Sequence, residues 1–209
     1  PTGHLLSGDK IQYLLDNLPS YVFPVIDEAY KEFVSNENYI NGVSLFREGR
    51  CLAAVRTFSK IYGLAGLRIG YAVVPEELSS LATNIRNSFN INQLAQHAAL
   101  AAMEDEEHVA RTIDLTTKGR KQLDSGLSEM CLKPIPSQTN FVCVDAHRNA
   151  EEIHRQLMAR GFIIRPLTAF ALPTHIRITV GSSSENRQVL TELEGVLNNI
   201  PPIRPELSE

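Results

Sequence analysis

The chain has 209 residues, 43% of them apolar, with a formal charge of −4 and no basic run; there is room for one large or two small domains, and nucleic acid is a poor partner for such a surface. Cys51, Cys131 and Cys143 are odd in number, widely spaced and set in apolar context, so they read as reduced core thiols of a cytosolic protein rather than a disulfide frame or a zinc site. The six histidines lack metal-ligand spacing, no apolar run approaches the roughly 20 residues of a membrane span, and no signal peptide opens the chain.

In chain order, Pro1 to Gly8 reads as a loop, begun without an initiator Met as a piece of a longer protein would be. Asp9 to Asp16 has the spacing of a short helix, with Ile11, Leu14 and Leu15 on one face and a stop near Pro19. Val22 to Ile26 is an apolar, β-branched run with the pattern of a buried strand; it ends at Asp27-Glu28-Ala29-Tyr30. Ser35 to Gly49 is polar and without clear period. Leu52 to Val55 predicts a second buried strand and Ile69 to Val74 a third, ended by Pro75. Pro75-Glu76-Glu77 opens a helix that runs to about Phe89. Asn92 to Glu104 is Ala/Leu-rich and apolar on most sides, which predicts a buried helix.

Glu106 to Met130 is a long helical pattern able to join two lobes, with a break at Lys133-Pro134 and Pro136. Phe141 to Val144 predicts a strand, Ala150 to Arg160 a helix closed by Gly161, and Phe162 to Arg165 and Ile176 to Val180 two more strands. Ser184 to Asn199 is the last helix, with Ser184 as its cap and Glu185 in its first turn; the tail from Pro201 reads as loose. The first part alternates helix and strand, as parallel doubly wound sheets do, and the last seventy or so residues read as a small α+β lobe. The expected fold class is α/β, divided into 1–105, a connecting helix 106–132, a small domain 133–200 and a tail 201–209.

Ligands of open α/β sheets sit at the carboxyl ends of strands. Asp27 and the stretch Thr57 to Lys60 both fall at such ends. A lysine just past a buried strand can be half desolvated, which lowers its pKa and frees the amine as a nucleophile. Thr57 and Ser59 can hydrogen-bond a phosphate that Arg68 clamps with its planar fork. A lysine amine beside a phosphate cradle is what pyridoxal phosphate (PLP) requires. Asp27 taken alone is either a helix cap or an acid facing a pyridinium nitrogen. Tyr30 alone is a core aromatic or, with Asp27, a donor to the cofactor's phenolic oxygen.

Arg56-Thr57-Phe58-Ser59-Lys60 followed by Gly63-Leu64-Ala65-Gly66-Leu67-Arg68-Ile69-Gly70 resembles the PLP-lysine motif of fold-type I aminotransferases. Together with Pro1-Thr2-Gly3, Ile26-Asp27-Glu28-Ala29-Tyr30 and Ile176-Arg177-Ile178-Thr179-Val180-Gly181, the chain is similar to the C-terminal two-thirds of the histidinol-phosphate aminotransferases or their aromatic relatives, from Pro1 to about Leu197. The resemblance implies the end of a large PLP-binding domain, a mostly parallel sheet with flanking helices, followed by a small α+β domain. It implies Lys60 as the Schiff-base lysine and proton carrier. It implies Thr57, Ser59 and Arg68 on the cofactor phosphate, and Asp27 and Tyr30 on the ring. Arg177 is implied for the α-carboxylate, Arg165 for the substrate phosphate, and Asn140 for a place near the substrate. No metal is implied.

By the same resemblance, the reaction passes an amino group from histidinol phosphate to 2-oxoglutarate in a cytoplasmic homodimer with its active site at the interface. The asparagine, glycine-rich loop and stacking aromatic that precede Pro-Thr-Gly in that family are absent from this chain, as are the N-terminal arm and the tyrosine supplied across the dimer. An aromatic transaminase, a decarboxylase of the threonine-phosphate type and an inactive fragment stand as alternatives. Thr168 to His175, with Phe170, Leu172 and Pro173, is expected to be a loop able to fold over a ligand with an aromatic or imidazole side chain.

Overall fold

The computed structural model describes residues 1–203; residues 204–209, most of the expected tail, lie outside the described residues. The chain divides into two compact units, Leu5–Ile113 and a second formed by Pro1–His4 with the chain from Asp114 onward.

The unit Leu5–Ile113 contains α1 (Gly8–Asn17), β1 (Val25–Asp27), α2 (Gly42–Arg47), β2 (Ala53–Thr57), β3 (Gly70–Val73), α3 (Glu76–Ile85), α4 (Gln93–Glu104) and the start of α5 (Glu106–Glu129). Its sheet has the order β1-β2-β3. β1 and β2 are parallel and β2 and β3 antiparallel, so among the described residues this sheet is mixed. The connection, residues 58–69, carries only a 3₁₀ turn and no crossover helix of the kind that joins parallel neighbours. The core here gathers Leu45, Leu52 and Ala54, with Ile11, Leu15 and Ile26 packed against it. Leu14, expected on the same face of α1, is exposed.

α3, expected to run to about Phe89, stops at Ile85, and further expectations fail in this unit. β1 is not a buried strand: it covers Val25–Asp27, its edge beyond β2 has no partner among the described residues, and Val22, Phe23 and Val25 are exposed. An apolar run signals a strand but does not say which faces are covered. α4 is not a buried helix either. Only Ala95 and Ala99, one turn apart, are buried, while Leu94, Leu100 and Met103 face outward. The polar stretch from Ser35 conceals α2, six residues long, whose Asn41 side chain accepts the Ser44 N–H at 2.9 Å as a cap.

The other unit holds the rest of α5, β4 (Pro134–Ile135), β5 (Phe141–Asp145), α6 (Ala150–Ala159), β6 (Arg165–Leu167), β7 (Leu172–Thr179) and α7 (Ser183–Asn199). The sheet order is β4-β5-β7-β6, antiparallel throughout. Val142, Val144, Ile176 and Ile178 alternate onto one face and meet Leu123, Leu127, Ile153, Leu157 and Leu193 from the helices. Gly161 closes α6 at φ +88°, a conformation that costs a glycine nothing.

Boundaries shift here as well. β6 begins at Arg165, not Phe162, and β7 starts at Leu172, so Thr168 to His175 is a 3₁₀ turn plus strand and not a loop free to fold over a ligand. Only Cys143 is a core thiol; Cys51 and Cys131 are exposed, two residues before β2 and just past α5. Among the described residues no helix is long and apolar enough to cross a membrane, and no cluster of His, Cys, Asp or Glu could hold a metal.

The cap of α7 is Ser182, not Ser184. Its hydroxyl accepts the Glu185 N–H while the Glu185 carboxylate accepts the Ser182 N–H, a reciprocal capping box. Ser182→Ala should lower unfolding free energy by about 1 kcal/mol, read as a shifted urea midpoint, and Ser184→Ala by less than half of that. Equal losses would return the cap to Ser184.

Candidate active site

β1 and β2 run side by side in parallel, Asp27 at the end of β1 lying opposite Val55, two residues before the end of β2. Asp27, Thr57 and the turn that follows β2 therefore share one carboxyl edge of the sheet. A pocket of about 400 Å³ opens there, and its walls include Asp27, Thr57, Ser59, Lys60 and Arg68. Tyr30 stands beside it, its ring centroid 5.3 Å from Lys60 Nζ, within cation–π distance. Lys60 itself is exposed, contrary to the half-desolvated position expected of it, because the turn carries it off the strand into an open pocket.

One wall has the chemistry of an anion cradle. Thr57 Oγ1 accepts the Ser59 N–H at 3.0 Å, and Arg68 Nη1 donates to the Ala65 carbonyl at 2.7 Å and to Ser59 Oγ at 3.3 Å. Arg68 holds φ +54°, a left-handed conformation that costs a non-glycine residue on the order of 1 kcal/mol and is kept only where the surroundings enforce it. Two residues on, a Cβ at Gly70 would meet the Arg56 carbonyl at 2.6 Å, so glycine lets β3 close onto β2 directly behind this wall. From α5, His108 Nε2 lies 3.0 Å from the carbonyl of Ile61, the residue after Lys60. A carbonyl only accepts, so the proton sits on Nε2.

Behind the pocket lies a buried carboxylate that sequence reasoning passed over. Glu28 is 4% exposed. It accepts from Arg56 Nε at 2.8 Å, Tyr39 Oη at 2.7 Å and the Gly42 N–H at 2.6 Å. Arg56 also reaches Tyr71 Oη at 3.3 Å. Burial opposes the Arg56 charge, but its hydrogen bonds to Tyr71 and Glu28 outweigh that, and its pKa is raised. Burial, then the hydrogen bond to Glu28, push the Tyr39 phenol well above its ordinary value. The available signal was Arg56 itself, a charge inside the run from Ala53 to Phe58 that must find a partner if the run is buried.

The antiparallel unit carries the remaining expected residues. Arg165 and Arg177 are register partners on β6 and β7 and line a second pocket, about 470 Å³, with His154 of α6. The Arg177 guanidinium lies 4.5 Å from the Phe141 ring centroid. Arg177 Nε and His154 Nδ1 are buried and have no hydrogen-bond partner among the described residues. Asn140 is not brought to this pocket: it precedes β5, where its carbonyl accepts the Val180 N–H at 2.9 Å. Arg120, buried on α5, donates to the neighbouring Thr139 carbonyl at 2.7 Å.

Comparison with known proteins identifies the family of the chain. The family model for aminotransferase class I and II matches residues 1–193. Histidinol-phosphate aminotransferase 1 of Nitrosococcus oceani is 41% identical over 197 residues, 94% of this chain and 53% of that protein. The structure of histidinol-phosphate aminotransferase from Sinorhizobium meliloti in complex with pyridoxal-5'-phosphate superposes with a TM-score of 0.84 at 28% identity, covering 95% of this chain and 55% of that one. L-threonine-O-3-phosphate decarboxylase from Porphyromonas gingivalis gives a TM-score of 0.80 at 26% identity over 95% of this chain and 62% of its own. The chain belongs to the class I and II aminotransferases. It spans about half the length of the curated relatives it matches.

The Tyr39 hydrogen bond predicts a pH dependence. Its folded pKa is raised above the ordinary value near 10, so the stability it contributes is complete below that value and is lost as pH climbs through and beyond it. At pH 8 Tyr39→Phe should cost about 1.5 kcal/mol. The gap to the unsubstituted protein should then narrow steadily above about pH 10. Parallel stability profiles in urea melts at rising pH would contradict the bond.

Proposed function

We propose that this member of the class I and II aminotransferases is the lysine-bearing part of a PLP-dependent transaminase, and that its reaction is histidinol phosphate plus 2-oxoglutarate to imidazole acetol phosphate plus glutamate. The observation that carries this reading is the single pocket that collects Lys60, Asp27, Thr57, Ser59 and Arg68. The residues fit the cofactor: two hydroxyls and a guanidinium suit its phosphate, an acid its ring nitrogen, and the volume lies in the range of small-molecule sites. Bound there, PLP supplies an aldehyde for a lysine amine and a ring that draws electron density from the substrate carbon.

The chain's own residues have defined tasks in this reading. Lys60 Nζ offers the amine and then takes and returns the proton at the substrate carbon. The Asp27 carboxylate keeps the ring nitrogen protonated. Thr57, Ser59 and Arg68 hold the phosphate and so fix the ring, with Tyr30 at its edge. Arg177 pairs with the α-carboxylate of glutamate and 2-oxoglutarate, and its unpartnered Nε supports that role. Histidinol phosphate has no carboxylate, and Arg165 takes its phosphate. A substrate-proximal place for Asn140 rests on the family resemblance alone, since it does not line the pocket of Arg165 and Arg177. Residues 1–105 close the large cofactor domain, 106–132 form the connecting helix, and 133–200 are the small domain. The protein works as a cytoplasmic homodimer with the active site at its interface.

The likeness to the threonine-phosphate decarboxylase supports a second reading, in which the same lysine serves loss of carbon dioxide. Carbon dioxide release, against glutamate formation from 2-oxoglutarate, separates the two.

Two outcomes are expected of the full-length protein. Borohydride reduction with PLP, followed by peptide mapping, should place the pyridoxyl label on Lys60, and Lys60→Ala should abolish turnover; a label on Lys31 or Lys118 would contradict the assignment. Arg165→Ala should weaken histidinol phosphate roughly ten- to a hundredfold, the worth of about 1.5–3 kcal/mol for one charge-assisted bond, and phenylalanine far less. Equal losses would remove Arg165 from the phosphate, and turnover of aromatic amino acids without histidinol phosphate would favour the aromatic transaminase.

A further inference from the structure

We propose that Glu28 is a positioning residue for the Lys60 pocket: its buried pairing with Arg56 holds the ends of β1 and β2 in the one spacing at which Asp27 and the Thr57–Lys60 turn face a common ligand. The inference rests on the reading of that pocket as a PLP site.

Three observations carry it. First, the clamp and the pocket are adjacent in sequence on both strands. Glu28 follows Asp27 and Arg56 precedes Thr57; Glu28 is buried behind the pocket, and Arg56, its partner, is itself part of the pocket wall. Asp27 is exposed at the pocket while Glu28 is 4% exposed behind it. Second, the carboxylate binds several elements at once: Arg56 of β2, Tyr39 from the loop, and the Gly42 N–H at the start of α2. Arg56 extends the tie through Tyr71 to β3, and the Glu28 N–H donates to the Val55 carbonyl at 2.9 Å. Third, stability alone does not explain a buried ion pair, because apolar residues of similar volume often stabilise as well or better. What apolar packing does not supply is a direction-specific, charge-assisted tie that sets one strand end against the other.

The test uses the full-length protein with two substitutions. Glu28→Gln keeps the shape but turns an amide donor toward a donor at Arg56, and Arg56→Lys keeps the charge but loses the guanidinium fork. Each should raise the Kd for PLP, titrated by cofactor absorption, about tenfold or more, the worth of one charge-assisted bond. In the apoprotein, amide hydrogen exchange from Val55 to Lys60 should quicken by a similar factor while exchange in α7 stays unchanged. A merely structural role would lower the melting temperature and leave Kd and local exchange, both read far below it, as they were; that result overturns the proposal. Failure of both variants to fold overturns it too, by assigning the pair to stability. If the unsubstituted protein does not bind PLP, the functional reading fails, and the exchange measurement on the apoprotein still decides the clamp.

Discussion

A carboxylate taken out of water must be met by donors on every side, and Glu28 is. That single requirement shapes the unit it sits in. The pairing with Arg56, 28 residues away, sets β1 parallel to β2 at their carboxyl ends. Gly42 and Tyr39 bring α2 and its loop to the same point. With the strand ends fixed from behind, the front is free to carry chemistry: Asp27 at one strand end, Thr57 at the other, and Lys60 on the turn between β2 and the chain's return. The antiparallel return as β3, without a crossover helix, brings Arg68 within 3.3 Å of Ser59 and so forms the anion wall.

The antiparallel unit solves a different problem. Register sets Arg165 directly opposite Arg177, two like charges on neighbouring strands, which is unfavourable unless something offsets it. The aromatic face of Phe141 under Arg177 offsets part of it. The Arg177 Nε is left without a hydrogen-bond partner among the described residues. Beneath, the apolar face of the same strands packs on α5, α6 and α7, so the arginines stand on a rigid support rather than on a loop.

The long, strongly patterned elements were legible from sequence alone. α5 and α6 lie within a residue of their expected bounds, and the glycine after α6 sits where its φ is needed. The strand ends bearing Asp27 and Lys60 were legible because an apolar run stops there and polar residues begin. Coverage was not legible: β1 and α4 are apolar enough to be buried, yet pattern does not say whether anything lies against them. The exposure of Lys60 escaped for the same reason. The hairpin joining Arg165 to Arg177 escaped because Phe170 and Pro173 read as loop residues, while strand pairing overrides local propensity. The Glu28 cluster joins residues 11, 14 and 28 positions apart, and no local period signals such a contact.

The central claim is that the edge shared by β1 and β2 receives PLP with Asp27 at its ring nitrogen. The most direct measurement is the nitrogen-15 chemical shift of that ring nitrogen in cofactor bound to the full-length protein. The account predicts a protonated nitrogen at neutral pH, with the proton lost in Asp27→Asn. A nitrogen whose protonation is the same in both proteins would contradict it.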